Sequence, residues 1–264
     1  MFKKKAANAT GEKVYKYEPL GKLANILKYL FIAVISLSAL GMVVDGWGIF
    51  FVSQLSAGIG IATAQDQGAL IDGCAAIISI VGLLVHIITG VAFLRWVYLL
   101  RRNMSALNAP FFEGHPLDAV AAFIIPIVNL FQPLINAQNI WKATDLNFPN
   151  DRHWAGATSS SLIKMWWFFW VFQNIIHQVA AFIASSSTKK GATLQSLPVI
   201  YLSSGVAEGL SIVAAVLAMK VVLSLTARQE QYQNAVAMRA EQTMQPETEA
   251  PAQTSTQPET DAQS

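Results

Sequence analysis

Apolar residues dominate four long stretches of this chain, at about 23–44, 71–98, 162–184 and 197–225, with polar or charged segments between them. Each is close to or above the roughly 20 residues a helix needs to cross hydrocarbon. Within lipid a segment must satisfy its own backbone polar groups, which a helix does alone. The pattern therefore predicts an all-α protein, a polytopic helical membrane bundle with four full transmembrane helices. A fifth stretch, 117–141, differs in kind, because its apolar run lasts only about eleven residues before polar groups and prolines interrupt it. Pro126 and Pro133 each remove a backbone donor and clash one turn back. Asn129, Gln132, Asn136 and Asn139 follow at helical spacing and would form one polar stripe. This segment reads as proline-broken, either re-entrant or a fifth helix.

The flanks are polar. Residues 1–21 form a basic tail, 22–229 the membrane domain, and 230–264 a Gln-, Pro- and Thr-rich tail that cannot bury a core and is expected to be disordered. A cleavable signal peptide is the competing reading of the first span, but its basic region is too long and no small-residue cleavage site follows a short apolar core. Basic residues then order the topology. If the broken segment does not cross, sixteen of the eighteen Lys and Arg fall on the side of the N-terminal tail, leaving Lys189 and Lys190 opposite. If it crosses, the split is twelve to six. The asymmetry favours four crossings with both termini cytoplasmic. The acceptor patterns at Asn8 and Asn103 then lie on the cytoplasmic side and read as chance matches to a glycosylation signal.

Composition agrees with this picture and narrows the chemistry. Hydrophobic residues make up 53% of the 264 and charged residues only 13%, with a mean hydropathy of +0.42; a soluble domain carries about a quarter charged residues. A net charge of +2, with no basic stripe, argues against nucleic acid as a partner. The single cysteine, Cys74, excludes an internal disulfide and a multi-thiolate metal site. No phosphate loop, nucleophile elbow, metalloprotease helix or cysteine-histidine metal spacing is present. No catalytic set, metal or cofactor is expected. His115 and His153 read as solvated loop histidines, and Asp145 and Asp151 as ordinary loop acids.

Four segments taken together resemble a known family. These are Phe93-Leu94-Arg95-Trp96, the Pro126 to Leu130 stretch with Asn129 closed by Pro133, Ile140-Trp141-Lys142-Ala143-Thr144-Asp145, and Leu225-Thr226-Ala227-Arg228-Gln229. In that order they resemble the bacterial membrane-protein family known as domain of unknown function 4328, over roughly residues 91–229. The resemblance implies a multi-pass protein of the bacterial cytoplasmic membrane. It supplies no catalytic residues, because no activity is established for the family.

Function is best sought among polar groups stranded in hydrocarbon, where a charge costs at least ~2.5 kcal/mol. Glu208 stands near the middle of the uncharged neighbours in 197–219, with Ser204 and Ser211 on its face and Gly205 and Gly209 offering a close-packing strip. Gln173, Asn174, His177 and Gln178 form two i, i+4 pairs in the third long span, and His86 interrupts the second. A histidine meeting Glu208 across the bundle would make a proton-handling pair. With Asn129, Gln132 and Asn136 these groups could line one polar cavity; as interhelical hydrogen bonds they would be worth about 0.6 kcal/mol each. Two functions follow. The first is a noncatalytic scaffold or regulatory subunit that lies in the bilayer and offers protein partners its cytoplasmic tails. The alternative is a small ion-coupled permease using Glu208 and His177. A dry core favours the first and a wet cavity at Glu208 the second. The residues do not set an oligomeric state.

Overall fold

A computed structural model describes residues 15–58, 60–107, 109, 112, 115–146, 156–189 and 193–244. Among the described residues six α-helices make up the bundle: α1 Gly21–Ser56, α2 Ala64–Ala106, α3 Leu117–Ile124, α4 Gln132–Ala143, α5 Ser161–Lys189 and α6 Leu197–Met244. Four of them, α1, α2, α5 and α6, are long and apolar enough to cross a membrane. Their outward faces carry exposed Val43, Ile77, Ile80, Val91, Phe168, Phe182 and Leu202, a surface that water would not tolerate at this extent and that lipid solvates. Helix α1 packs along both α2 and α6, and α5 packs along α6. Small residues permit the α1–α6 approach: Gly205 lies against Asp45, Gly209 against Met42, and Gly41 against Glu208. The packing strip expected beside Glu208 thus meets the first span.

The proline-broken segment is a helical hairpin. Pro126 falls in the turn after α3, and Pro133 opens α4, where a missing amide proton costs little. Ala119 near the start of α3 and Ile140 near the end of α4 face one small apolar void with Leu100 and Leu225, while Phe123 and Pro133 share it with Phe93. The two helices are therefore antiparallel. At 1.5 Å per residue neither the 8-residue α3 nor the 12-residue α4 spans ~30 Å of hydrocarbon. The tip exposes Ile124, Ile127 and Phe131, the last two at 77% and 64%, a greasy end suited to lipid. One tip carbonyl, that of Leu130, accepts a hydrogen bond from the Trp167 indole at 3.0 Å.

The ends of α1 (N-terminal), α2 (C-terminal), α5 (N-terminal), α6 (C-terminal) and the hairpin all gather at one pole of the bundle, and the apolar core lies there. Buried Asn103 donates to the Glu18 carbonyl (2.8 Å) and to Gln229 (3.1 Å) and accepts from the Glu18 amide (3.0 Å). Gln229 donates in turn to the Leu100 carbonyl at 2.9 Å. Asn103 has no accessible surface, which excludes it as a glycan acceptor.

Helix α6 corrects the expected domain boundary. It runs through residue 229 to Met244, because Glu230 and Tyr232 are anchored: Glu230 accepts the Gly21 amide at 3.0 Å, capping the first turn of α1, and Tyr232 is buried. The expectation of disorder for 245–264, most of the basic tail (1–14), and His153, Asp151 and Asn8 lie outside the described residues.

Candidate functional site

Toward the opposite pole the bundle loosens. Helices α1–α2, α1–α6 and α5–α6 are packed, but α2 and α5 do not approach closely. Between them is a cavity of about 430 Å³. Each of the four long helices contributes one titratable side chain to its wall: Asp45 from α1, His86 from α2, His177 from α5 and Glu208 from α6. Gln173, Asn174, Ser38, Ser79, Ser204 and Ser211 complete the polar lining. The volume and the number of polar partners are sufficient for ordered water.

Local hydrogen bonds set the orientation of these groups. Ser211 donates its one hydroxyl proton to the Ala207 carbonyl at 3.1 Å, so it accepts from His177 Nε2 at 2.7 Å and leaves His177 Nδ1 open. His86 Nδ1 lies 2.8 Å from the Gly82 carbonyl and must donate to it, which frees Nε2. Asn174 donates to the Trp170 carbonyl at 2.6 Å. Asp45 shares the cavity wall with Ser204, and its Oδ2 is buried without a hydrogen-bond partner. Two carboxyl groups side by side in a low-dielectric setting, Asp45 and Glu208, cannot both stay charged without a proton or a cation between them.

The structure therefore brings together Glu208, His177, His86, Gln173 and Asn174 as the residue pattern suggested. Two expectations need correction. Asn129, Gln132 and Asn136 do not line this cavity. They sit in the hairpin, where Gln132 donates to Asn136 at 3.0 Å and Asn136 borders the small apolar void. The α3–α4 turn keeps them at the packed pole. Gln178 likewise turns outward, beside Ile175, Val179 and Phe182, because it is one residue past His177 on the helix. The residue pattern does not single out Asp45, which lies just past the apolar stretch that ends near residue 44. A signal existed: Asp45 is the only charge between residues 29 and 65.

The motif residues gather elsewhere. Arg228 bonds Asp145 at 2.9 Å, donates to the Trp141 carbonyl at 2.9 Å, and stacks on the Trp141 ring at 4.3 Å. Trp96 donates to Thr226 at 3.0 Å, and Gln229 joins the Asn103 network. Asp145, expected as an ordinary loop acid, is thus a structural anchor. Arg95 is exposed on α2, and Pro126 and Pro133 shape the hairpin. His115 accepts the Leu117 amide through Nδ1 at the start of α3, so it is a local turn element.

Comparison with known proteins gives one family. No curated protein and no solved structure matches the chain. The family described as Domain of unknown function (DUF4328) matches residues 60–227, beginning before the resemblance at residue 91 and taking in α2, the hairpin, α5 and α6 through Ala227. His86, Gln173, Asn174, His177 and Glu208 lie inside the match and Asp45 outside it. With more than half its length matched, this membrane chain belongs to the DUF4328 family.

Proposed function

We propose that this protein is a small noncatalytic membrane carrier of the bacterial cytoplasmic membrane, one that exchanges a cation for a proton at the Asp45–Glu208 cavity. The observation that supports it is the convergence of four titratable side chains, one from each long helix, on a single cavity within the bundle. A scaffold needs a packed interior, and polar groups used only as helix glue would be spent on one another. Here Asp45 Oδ2 and one nitrogen of each histidine are left over. Exchange keeps the site's charge constant: a protonated carboxyl releases its proton to water as the cation takes its place, and no net charge is buried. In the non-crossing reading of the sequence sixteen of the eighteen basic residues share the side of the N-terminal tail, which supports placing both termini, and with them the packed pole, in the cytoplasm.

The test uses the full chain in liposomes holding an acid-inside gradient and a trapped pH dye. Sodium, potassium, tetramethylammonium or benzyltrimethylammonium chloride is added outside. At least one should collapse the gradient, and Asp45→Asn or Glu208→Gln should stop it. Dissipation by none of the four, or equal rates in wild type and both variants at equal insertion, would overturn the carrier reading. A C-terminal reporter read from outside the cell would overturn the orientation.

A further inference from the structure

We infer that the site takes a lipophilic organic cation, an amine or quaternary ammonium with an aromatic or branched apolar body; this rests on the carrier reading for its place in the bundle and adds the solute's chemical class. The polar cavity does not end at His86. A second chamber of about 200 Å³ adjoins it, sharing His86, Gln173 and Ser211. Its remaining wall is apolar and aromatic, with Phe31, Phe93, Trp166 and Trp170 prominent. One continuous site therefore has an acidic half and an aromatic half.

Each half excludes a class of solute. Two carboxylates, Asp45 and Glu208, repel anions and favour a positive headgroup. A divalent metal ion needs a close shell of several charged ligands. Among the described residues no group of three His, Cys, Asp or Glu converges to hold a metal ion. A proton relay alone would have no use for an aromatic chamber. Aromatic faces attract quaternary ammonium groups and bury apolar bodies, so the second chamber suits the rest of an organic cation. Trp170 is held for this role, stacked on Trp167 with ring centroids 4.7 Å apart.

The route of entry fits the same solute. Leu83 lines the cavity and is also exposed, and exposed Ile80 and Ile87, three and four residues away on α2, extend that apolar rim. A lipophilic cation concentrates in the bilayer and can enter sideways through an apolar rim. A hydrated inorganic ion cannot.

The experiment is equilibrium binding of radiolabelled benzyltrimethylammonium to the full chain in detergent, with neopentylbenzene as competitor. The competitor has the same shape with carbon in place of nitrogen. Wild type should bind saturably, and neither neopentylbenzene nor sodium should compete. Glu208→Gln and Asp45→Asn should each weaken binding by about tenfold or more, the loss of roughly one close charge contact. Trp170→Leu should weaken it by about fivefold and Trp170→Phe by less, as a cation–π contribution predicts. Helicity and gel filtration check that the variants fold, and the neutral competitor needs no variant at all. The inference is overturned if folded wild type shows no saturable binding, if neopentylbenzene competes equally, or if both carboxylate variants bind as wild type. Gradient collapse by sodium without benzyltrimethylammonium binding would sink this inference and leave the carrier standing. Binding without exchange would do the reverse.

Discussion

The Arg228 guanidinium meets the Asp145 carboxylate at 2.9 Å while standing over the Trp141 ring, so α6 is riveted to the end of the hairpin. Both side chains are mostly shielded, 24% and 18% exposed, which keeps the pair from being a freely screened surface contact. Arg228→Ala should lower stability by about 1.5–3 kcal/mol, the range for hydrogen bonds to charged groups. Arg228→Lys should recover little, because an ammonium neither stacks as a plane nor reaches carboxylate and carbonyl together. Thermal unfolding in detergent measures both, and a Lys variant as stable as wild type would refute the stacking argument. Organic-cation binding should be unaffected, since the rivet lies at the other pole from the cavity.

Gly48 has no room for a side chain. A Cβ there would stand 2.6 Å from the Tyr201 ring, whereas one on Gly46 would meet nothing within 4 Å. Gly48→Ala should therefore destabilise the α1–α6 contact, and Gly46→Ala should be neutral or stabilising through helix propensity. Adding Tyr201→Ala to Gly48→Ala should restore part of the loss. Melting temperatures of the three variants decide the matter, and equal behaviour of the two alanines would refute the close approach.

Asn103 ties the segment before α1 to the ends of α2 and α6 through three hydrogen bonds, supported by the Arg102–Glu18 ion pair. Asn103→Ala leaves the Glu18 amide and Gln229 short of partners in a buried setting, at a cost of about 1–3 kcal/mol. Hydrogen exchange should rise first at residues 17–21. Protection there equal to wild type would show that the strap is held by other contacts.

Tyr17 should titrate late. Burial, and then the negative charge of Glu230, push its phenol up to about 12. The unfolded chain ionises the same phenol near pH 10, so folding is opposed progressively between pH 10 and 12 while stability from this group is intact below pH 10. Absorbance titration should show one fewer late-ionising tyrosine in Tyr17→Phe, and that variant should lose less stability across the same alkaline window. An unchanged late phase would assign it to another residue.

Much of the architecture was legible because hydrocarbon acts on each segment separately. A stretch such as 197–225 announces its span by apolar length alone, and Pro126 with Pro133 break the 117–141 stretch by covalent geometry, whatever surrounds them. Glu208, His177 and His86 stood out for the same reason, as local exceptions to a local rule. Which exceptions meet is a different kind of fact. The α3–α4 turn diverts Asn129, Gln132 and Asn136 to the packed pole, and one step of helix phase sends Gln178 outward while His177 faces in. Asp45 joined the site only because α1 runs past the length a bilayer requires and crosses α6 at Gly205. Arg228 and Asp145, distant in the chain, became partners through the hairpin's return. Insertion into lipid depends on the composition of one helix and can be read along the sequence. Contacts between helices depend on crossing angle, rotation and depth, quantities that come into existence only when the helices pack.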